Sequence, residues 1–400
     1  MNRRRFLQQA GAGGFLASAW PVLGQTDAAP AAPPTTGLSF TTSPSLQNPS
    51  STAVTVAIGV SGASTAWVEY GDTPQLGRTA TGARHGLNLF DNLAHHVRLE
   101  GLRPGERCFY RVHACPIDFR TAYDIRRGEA IATDIFSFRP FDPAAAEARF
   151  VVWNDTHENA ATLARLMEKT APVPADFLVW NGDVNNDNYR EEKMVEHYLG
   201  AGGQPFTRAT PLVFVRGNHD TRGPVARLLP RFMEVPEGRF HYSFRHGPLA
   251  GVVLDAGEDK PDSTAVYAGL GDFTSYFREQ TAWLEAELER PHLREARFRV
   301  AFCHIPFWWQ DKGFASDAND ARSAWHSLLV KGNFAAVISG HTHRHGWFPP
   351  DARKPYGQLV GGGPKPEAAT LIRGTVTTQE LSLSMTDLEG RELTTWTTRA

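Results

Sequence analysis

At 400 residues the chain exceeds the length at which one hydrophobic core usually stops growing, so two domains are expected. Its 41 basic and 43 acidic side chains leave a formal charge of -2, which excludes a general attraction to nucleic-acid phosphates or anionic lipid. Hydrophobic residues at 41% and charged residues at 21% are ordinary for a globular protein.

The first stretch in chain order is not part of the fold. In "MNRRRFLQQAGAGGFLASAWPVLGQ", Arg3 and Arg4 precede Arg5, Phe6 and Leu7, and then a short, weakly apolar run. This resembles a twin-arginine export signal, and the run is too short to span a bilayer as a stable helix. The bland alternative is a basic, frayed terminus. The resemblance implies that residues 1–24 are removed on export by the twin-arginine machinery, to the periplasm or beyond. Removal takes away three arginines and no acids, leaving the mature chain at about -5. No later apolar run is long enough for a membrane helix, so a soluble mature protein is expected. Residues 25–37, rich in Pro, Ala and Thr, read as a semi-extended linker.

From residue 38 to 140 the pattern is one of short alternating runs, "AVTVAIGV", "TAWVEYG", "HHVRLEGL", "RCFYRVHA" and "DIFSFRP", separated by Gly, Pro and Asp. That spacing predicts an antiparallel all-β sandwich of about seven strands. "LRPGERCFYRVHA" and "AWVEYGDTPQLGRTAT" resemble fibronectin type III-like domains, in particular the one that precedes the catalytic domain of purple acid phosphatases. Cys108 and Cys115 fall on one expected strand, roughly 23 Å apart if it is extended, which is too far for a disulfide. With Cys303 the count is odd and carries no zinc-finger spacing, so disulfides do not organise the fold. His95 and His96 have no acidic or histidine partner at useful spacing and read as surface residues.

From about 147 to 400 the rhythm becomes strand, loop, helix. "RFVVWND", "DFLVWNGD", "PLVFVRGNHD", "RFRVAFCHIPF" and "NFAAVISGHTH" predict strands. "NAATLARLMEKT" and "TSYFREQTAWLEAELER" predict amphipathic helices. Alternation of this kind argues for an α/β layered domain whose chemistry gathers at the C-terminal ends of its strands. The tail from Leu371 to Arg399 returns to β alternation and is expected to add strands to this second domain.

Those strand ends carry Asp155 and His157, then Asp183, then Asn218, His219 and Asp220, then His304, and last His341 and His343. Five separate strands thus deliver carboxylate, imidazole or amide oxygen. The ordered blocks D-x-H, G-D, G-N-H-D, H and G-H-x-H resemble the signature of the calcineurin-like metallophosphoesterases. That family implies a four-layer β-sandwich flanked by helices. By the resemblance, Asp155, His157 and His343 hold one metal, Asn218, His304 and His341 hold a second, and Asp183 bridges them. Oxygen and nitrogen donors without a thiolate suit Mn, Fe, Zn or Co. A shared carboxylate can hold two such ions roughly 3.5–4 Å apart, which traps a hydroxide and clamps a phosphate for in-line attack. The resemblance further implies that His219 faces the substrate and stabilises the phosphate or protonates the leaving oxygen, with Asp220 positioning it. Two departures from the purple acid phosphatases stand out. Asn186 occupies the slot where they carry an iron-ligating tyrosine, and His157 is present where they lack a histidine, so no tyrosinate chromophore is expected.

Other features admit two readings. Phe307, Trp308 and Trp309 form either an aromatic wall for a substrate or ordinary packing. Arg216, Arg222 and Arg344 pair either with phosphate or with carboxylates and solvent. The loop "VNNDNY" contacts substrate or merely turns the chain. "LVGGGPKPE" lacks the ending of a nucleotide P-loop, and its glycines are expected to let the backbone turn or approach the metal rim. Cys303 is expected in the core, and His345 either behind the metal ligands or at the pocket rim. The leading function is an exported dinuclear-metal phosphoesterase acting on a small phosphate mono- or diester. Its rival is a cell-envelope binding protein with a vestigial metal site.

Overall fold

The computed structural model describes residues 37–200, 206–309 and 321–400. The expected export signal and all but the last residue of the linker lie outside them. Among the described residues no helix is long and apolar enough to cross a membrane.

The N-terminal region holds nine strands: β1 Ser45–Gln47, β2 Val54–Gly59, β3 Ser64–Gly71, β4 Arg78–Ala80, β5 Ala94–Leu99, β6 Cys108–Thr121, β7 Asp124–Arg127, β8 Ile131–Ala132 and β9 Phe136–Phe138. All pairs are antiparallel; β1-β2-β5 form one sheet, and the other is built around β3 and β6. Val56, Ile58 and Val97 of the first sheet share a buried cluster with Val68, Tyr110 and Val112 of the second. The count exceeds the sequence expectation because β4, β7 and β8 are short and half-exposed, with little apolar alternation to announce them. Cys108 and Cys115 lie on one strand, and all three cysteines are free and buried.

His95 and His96 correct the surface expectation. Adjacent residues of a strand point to opposite faces, and both faces of β5 are covered. His95 is buried, with Nε2 2.9 Å from Ser64 Oγ. His96 faces the C-terminal region, its Nε2 3.3 Å from the Phe232 carbonyl. The same joint carries Gln47, which donates to the Phe232 carbonyl at 3.0 Å and accepts from the Glu234 amide at 2.7 Å. Ala57 and Ala94 belong to the main core of the C-terminal region, so the two regions share buried apolar surface.

That region contains β10 Glu147–Asn154, β11 Phe177–Asn181, β12 Leu212–Val215, β13 Tyr242–His246, β14 Leu249–Leu254, β15 Phe298–Cys303, β16 Ala336–Ser339, β17 Gly346–Phe348, β18 Gly357–Val360, β19 Thr370–Thr377, β20 Glu380–Asp387 and β21 Glu392–Arg399. They form two six-stranded sheets, ordered β12-β11-β10-β19-β20-β21 and β13-β14-β15-β16-β18-β17. The tail strands β19 to β21 therefore extend the first sheet, as their alternation suggested. Phe150 and Phe177 meet Phe244 and Phe302 between the sheets. The helix Ala160–Thr170 covers the outer face of the first sheet, where Trp153 donates to Thr170 Oγ1 at 3.0 Å. Helices Phe273–Glu287 and Ala321–Lys331 bring Phe277, Leu284 and Leu329 against the outer face of the second sheet. The result is helix, sheet, sheet, helix. Pairs β10-β11-β12 and β14-β15-β16 are parallel, so the C-terminal ends of these six strands open along one edge of the molecule.

Candidate metal centre

Each ligand-bearing block begins where a buried strand runs out. β10 leads into Asp155 and His157, β11 into Asp183, β12 into Asn218, β15 into His304, and β16 into His341 and His343. The loops then turn in the left-handed region: φ is 47° at Asp155, 43° at His157, 50° at Asp183, 71° at His341 and 55° at His343. Non-glycine residues rarely adopt such angles, and their clustering at five of the ligand positions is backbone strain held for a purpose. Close approach also fixes the glycines. A Cβ on Gly340 would stand 2.3 Å from Asp155 Oδ2, and one on Gly363 would stand 2.6 Å from the Cβ of His343. The glycine-rich loop thus packs against the metal rim, as its sequence suggested.

The side chains form two groups that share one residue. Asp155, His157, Asp183 and His343 each place a donor atom within 4.8 Å of the others, and so do Asp183, His304 and His341. Asn218 joins the second group, its Oδ1 2.9 Å from His341 Nδ1. Nε2 of His157 lies 3.0 Å from Nε2 of His343 and 3.4 Å from Asp183 Oδ2; Nε2 of His304 lies 3.1 Å from the same carboxylate oxygen. Donor atoms gathered around one cation at bonds of about 2.1 Å stand roughly 3.0–3.4 Å apart, so these separations suit co-ligation. All seven residues named from the sequence are brought together.

The hydrogen bonds behind the ligands select the right tautomers. The ring N–H of His304 at Nδ1 donates to the Asn181 carbonyl at 2.8 Å, which leaves a lone pair on Nε2. That Nε2 is buried and makes no well-formed hydrogen bond, as befits an atom awaiting a cation. His157 donates from Nδ1 to Asn186 Oδ1 at 3.0 Å and likewise aims Nε2 inward. The amide protons of His341 and His219 donate to Asp155 and Asp183 and orient the carboxylates.

Electrostatics tell the same story. Burial pushes the Asp155 carboxyl up to about 7, helped by the Asp183 charge and opposed by His304. Burial works the same way on Asp183, but His304 and His157 overcome it and hold that carboxyl well below its usual range. His304 is drawn up to about 10 against its burial by Asp183 and Asp155, while burial and the His304 charge push His341 down to about 3. Beyond their backbone amide donors, these buried carboxylates lean on imidazoles for positive charge, a demand that cations would meet.

His219 stands at the mouth. Its Nδ1 donates to the Asn186 carbonyl at 2.8 Å, and Arg222 Nη1 donates to its Nε2 at 2.8 Å. Asp220 corrects the expected pairing. Its buried carboxylate accepts from the amides of Asp183, Val184 and Gly217 and from the Tyr198 hydroxyl, and it makes no hydrogen bond to the His219 ring. It clamps the loops bearing Asp183 and Asn218 together. Asn186 and Arg222 position His219 instead. The "VNNDNY" loop is similarly wired inward: Asn188 donates to the Asp220 carbonyl at 2.9 Å. Among the arginines, Arg216 is taken by Asp255 at 2.6 Å and Arg344 is exposed. Phe307 is fully buried packing, Cys303 lies in the core, and His345 is exposed. Asp255, at the end of β14, was not anticipated; its strand carries no recognisable motif.

Comparison with known proteins agrees with this geometry. Residues 148–345 match the calcineurin-like phosphoesterase family. Purple acid phosphatase 21 of Arabidopsis thaliana is 24% identical over 301 residues, covering 71% of this chain and 60% of that protein. The chain thus spans less than two thirds of that relative. The purple acid phosphatase PPD1 of yellow lupin (Lupinus luteus) superposes with a TM-score of 0.66 at 15% identity, over 88% of this chain and 73% of that one. PhoD superposes with a TM-score of 0.61 at 12% identity, over 89% and 93%. At such identities the structural likeness carries the fold alone.

Proposed function

We propose that this chain, whose residues 148–345 form a calcineurin-like phosphoesterase domain, is an exported dinuclear-metal hydrolase of phosphate mono- or diesters. The observation that carries the reading is the sharing of Asp183 between two donor groups, with the buried Nε2 of His304 aimed at its carboxylate from 3.1 Å. Asp155, His157 and His343 with Asp183 would hold one ion, and Asn218, His304 and His341 with Asp183 the other. When bound, the two ions would polarise the phosphoryl oxygens and make a water acidic enough to attack near neutral pH.

The chain's own groups supply the rest. Asn186 fixes the His219 ring through Nδ1, which turns Nε2 outward, next to the Arg222 guanidinium. A phosphate ester entering between them would accept from Arg222 and free Nε2 of His219. His219, taking a proton from solvent at the freed Nε2, would donate it to the leaving oxygen, and Arg222, braced by Glu258 and Asp259, would remain on the phosphate. Asn186 bonds to His157 instead of offering a phenolate, which supports a site without the purple chromophore.

Export rests on "RRRFL" at residues 3–7, and the fibronectin type III-like reading of the N-terminal sheets rests on "LRPGERCFYRVHA". Changing Arg3 and Arg4 to lysine is expected to keep the chain in the cytoplasm on fractionation; continued export would refute the signal. The catalytic reading is tested on chelated protein reloaded with Mn, Fe, Zn or Co and offered 4-nitrophenyl phosphate and bis(4-nitrophenyl) phosphate. Turnover of at least one is expected; inactivity with all four metals contradicts it. His219→Gln is expected to keep its metals and lose about 10²–10⁴ in rate.

A further inference from the structure

Arg222 has a second neighbourhood. Besides reaching His219, it lines a cavity of about 560 Å³ that includes none of the seven metal-site residues. That volume is typical of a small-molecule site. The facing wall comes from Val266 and Leu270 of the segment between β14 and the helix Phe273–Glu287, and from Phe273 at the start of that helix. Val266 and Leu270 are 75% and 70% exposed. One exposed leucine needs no explanation, but two apolar side chains on one lip, beside the groups that would handle a phosphate, call for a partner.

The lip is anchored at both ends. On one side Arg222 Nη2 donates to Glu258 at 3.0 Å and to Asp259 at 3.1 Å, and the Tyr267 hydroxyl donates to Glu258. At the other, Asp262 accepts from the amides of Phe273 and Thr274 at 2.9 and 3.0 Å, tying the segment to the first turn of the helix. A cavity held this way is preformed, so filling it costs little ordering.

Resting on the phosphoesterase reading above, we propose that this cavity receives the alcohol portion of the substrate ester, and that the alcohol is apolar and at least aryl-sized. A phosphoryl group between the metal-site residues and Arg222 would direct its ester oxygen toward the cavity. In the reaction the bond between phosphorus and the ester oxygen breaks, water supplies the oxygen that phosphorus gains, and the leaving oxygen departs as the free alcohol with a proton from His219.

The test compares 2-phenylethyl phosphate with ethyl phosphate, whose alcohols are near-equal leaving groups, on metal-loaded wild-type protein and on Val266→Ser/Leu270→Ser. Both substituted positions are exposed, so the double variant should fold. Wild-type protein is expected to prefer the larger ester in kcat/KM, and the variant to lose about tenfold of that preference. Calorimetry with 2-phenylethylphosphonate and ethylphosphonate, which cannot be hydrolysed, should show the same loss in relative affinity. Equal use of the two esters by wild-type protein, or a preference untouched by the substitutions, overturns the cavity's role and leaves the phosphoesterase reading standing. Failure to hydrolyse either ester, 4-nitrophenyl phosphate or bis(4-nitrophenyl) phosphate with any of the four metals overturns both.

Discussion

Asn186 holds two histidines at once, His157 through its side-chain oxygen and His219 through its carbonyl. Removing the side chain frees the His157 ring while leaving the carbonyl in place. Asn186→Ala is therefore expected to weaken one of two metal-binding steps by about 10–100-fold in a calorimetric titration and to spare the other; an unchanged isotherm would take Asn186 out of the site. The seven ligand types and their spacing were legible because each sits in a short motif directly after a strand. The supports of those ligands were not, since Asn186 and Arg222 act across loops whose paths no local pattern encodes, and Asp220 was misread because sequence adjacency to His219 does not put its carboxylate on the ring. His95 makes a separate prediction. Burial pushes its imidazole down to about 4, so the native state refuses a proton that the unfolded chain accepts below about 6.5. The unfolded state thus binds more protons between those values, and stability must fall as pH drops through that window. Chemical unfolding at pH 7 and pH 4.5 should show a fall that is smaller in His95→Gln by about 1–3 kcal/mol; equal falls would show that His95 titrates freely.

At the scale of elements, the site is made by strands that end on one edge and by glycines that let neighbouring loops touch. Gly340 shows the tolerance involved, since a Cβ there would meet the Asp155 carboxylate at 2.3 Å. Gly340→Ala is expected to retain the fold, as judged by circular dichroism, and to lose at least about tenfold in metal affinity; affinity equal to wild type would mean that the loop gives way freely. Strand and helix periodicity revealed β10, β11, β12, β15, β16 and the tail strands. It missed β14, because "LAGVVL" is buried on both faces and carries no alternation, and with it the partner β13, whose "YSFRH" alternates over only five residues. That omission also hid Asp255 and the segment that follows it, where the proposed alcohol cavity has its apolar lip.

At the scale of the whole molecule, two regions were expected from length and from the change in rhythm near residue 147. The described residues of both cluster as one compact unit. Their joint was illegible for a physical reason: Gln47, His96 and Glu234 look like surface residues until the two regions meet and pair them. Across that molecule everything converges on Asp183, the one side chain common to both donor groups. Metal analysis of wild-type protein and Asp183→Asn, each reloaded with Mn and exhaustively dialysed, tests this most directly. About two ions per chain are expected for wild type and fewer than about one for the variant, because both positions lose their shared carboxylate. A wild-type chain that retains no metal, or a variant that still holds two ions, would contradict a dinuclear centre bridged by Asp183.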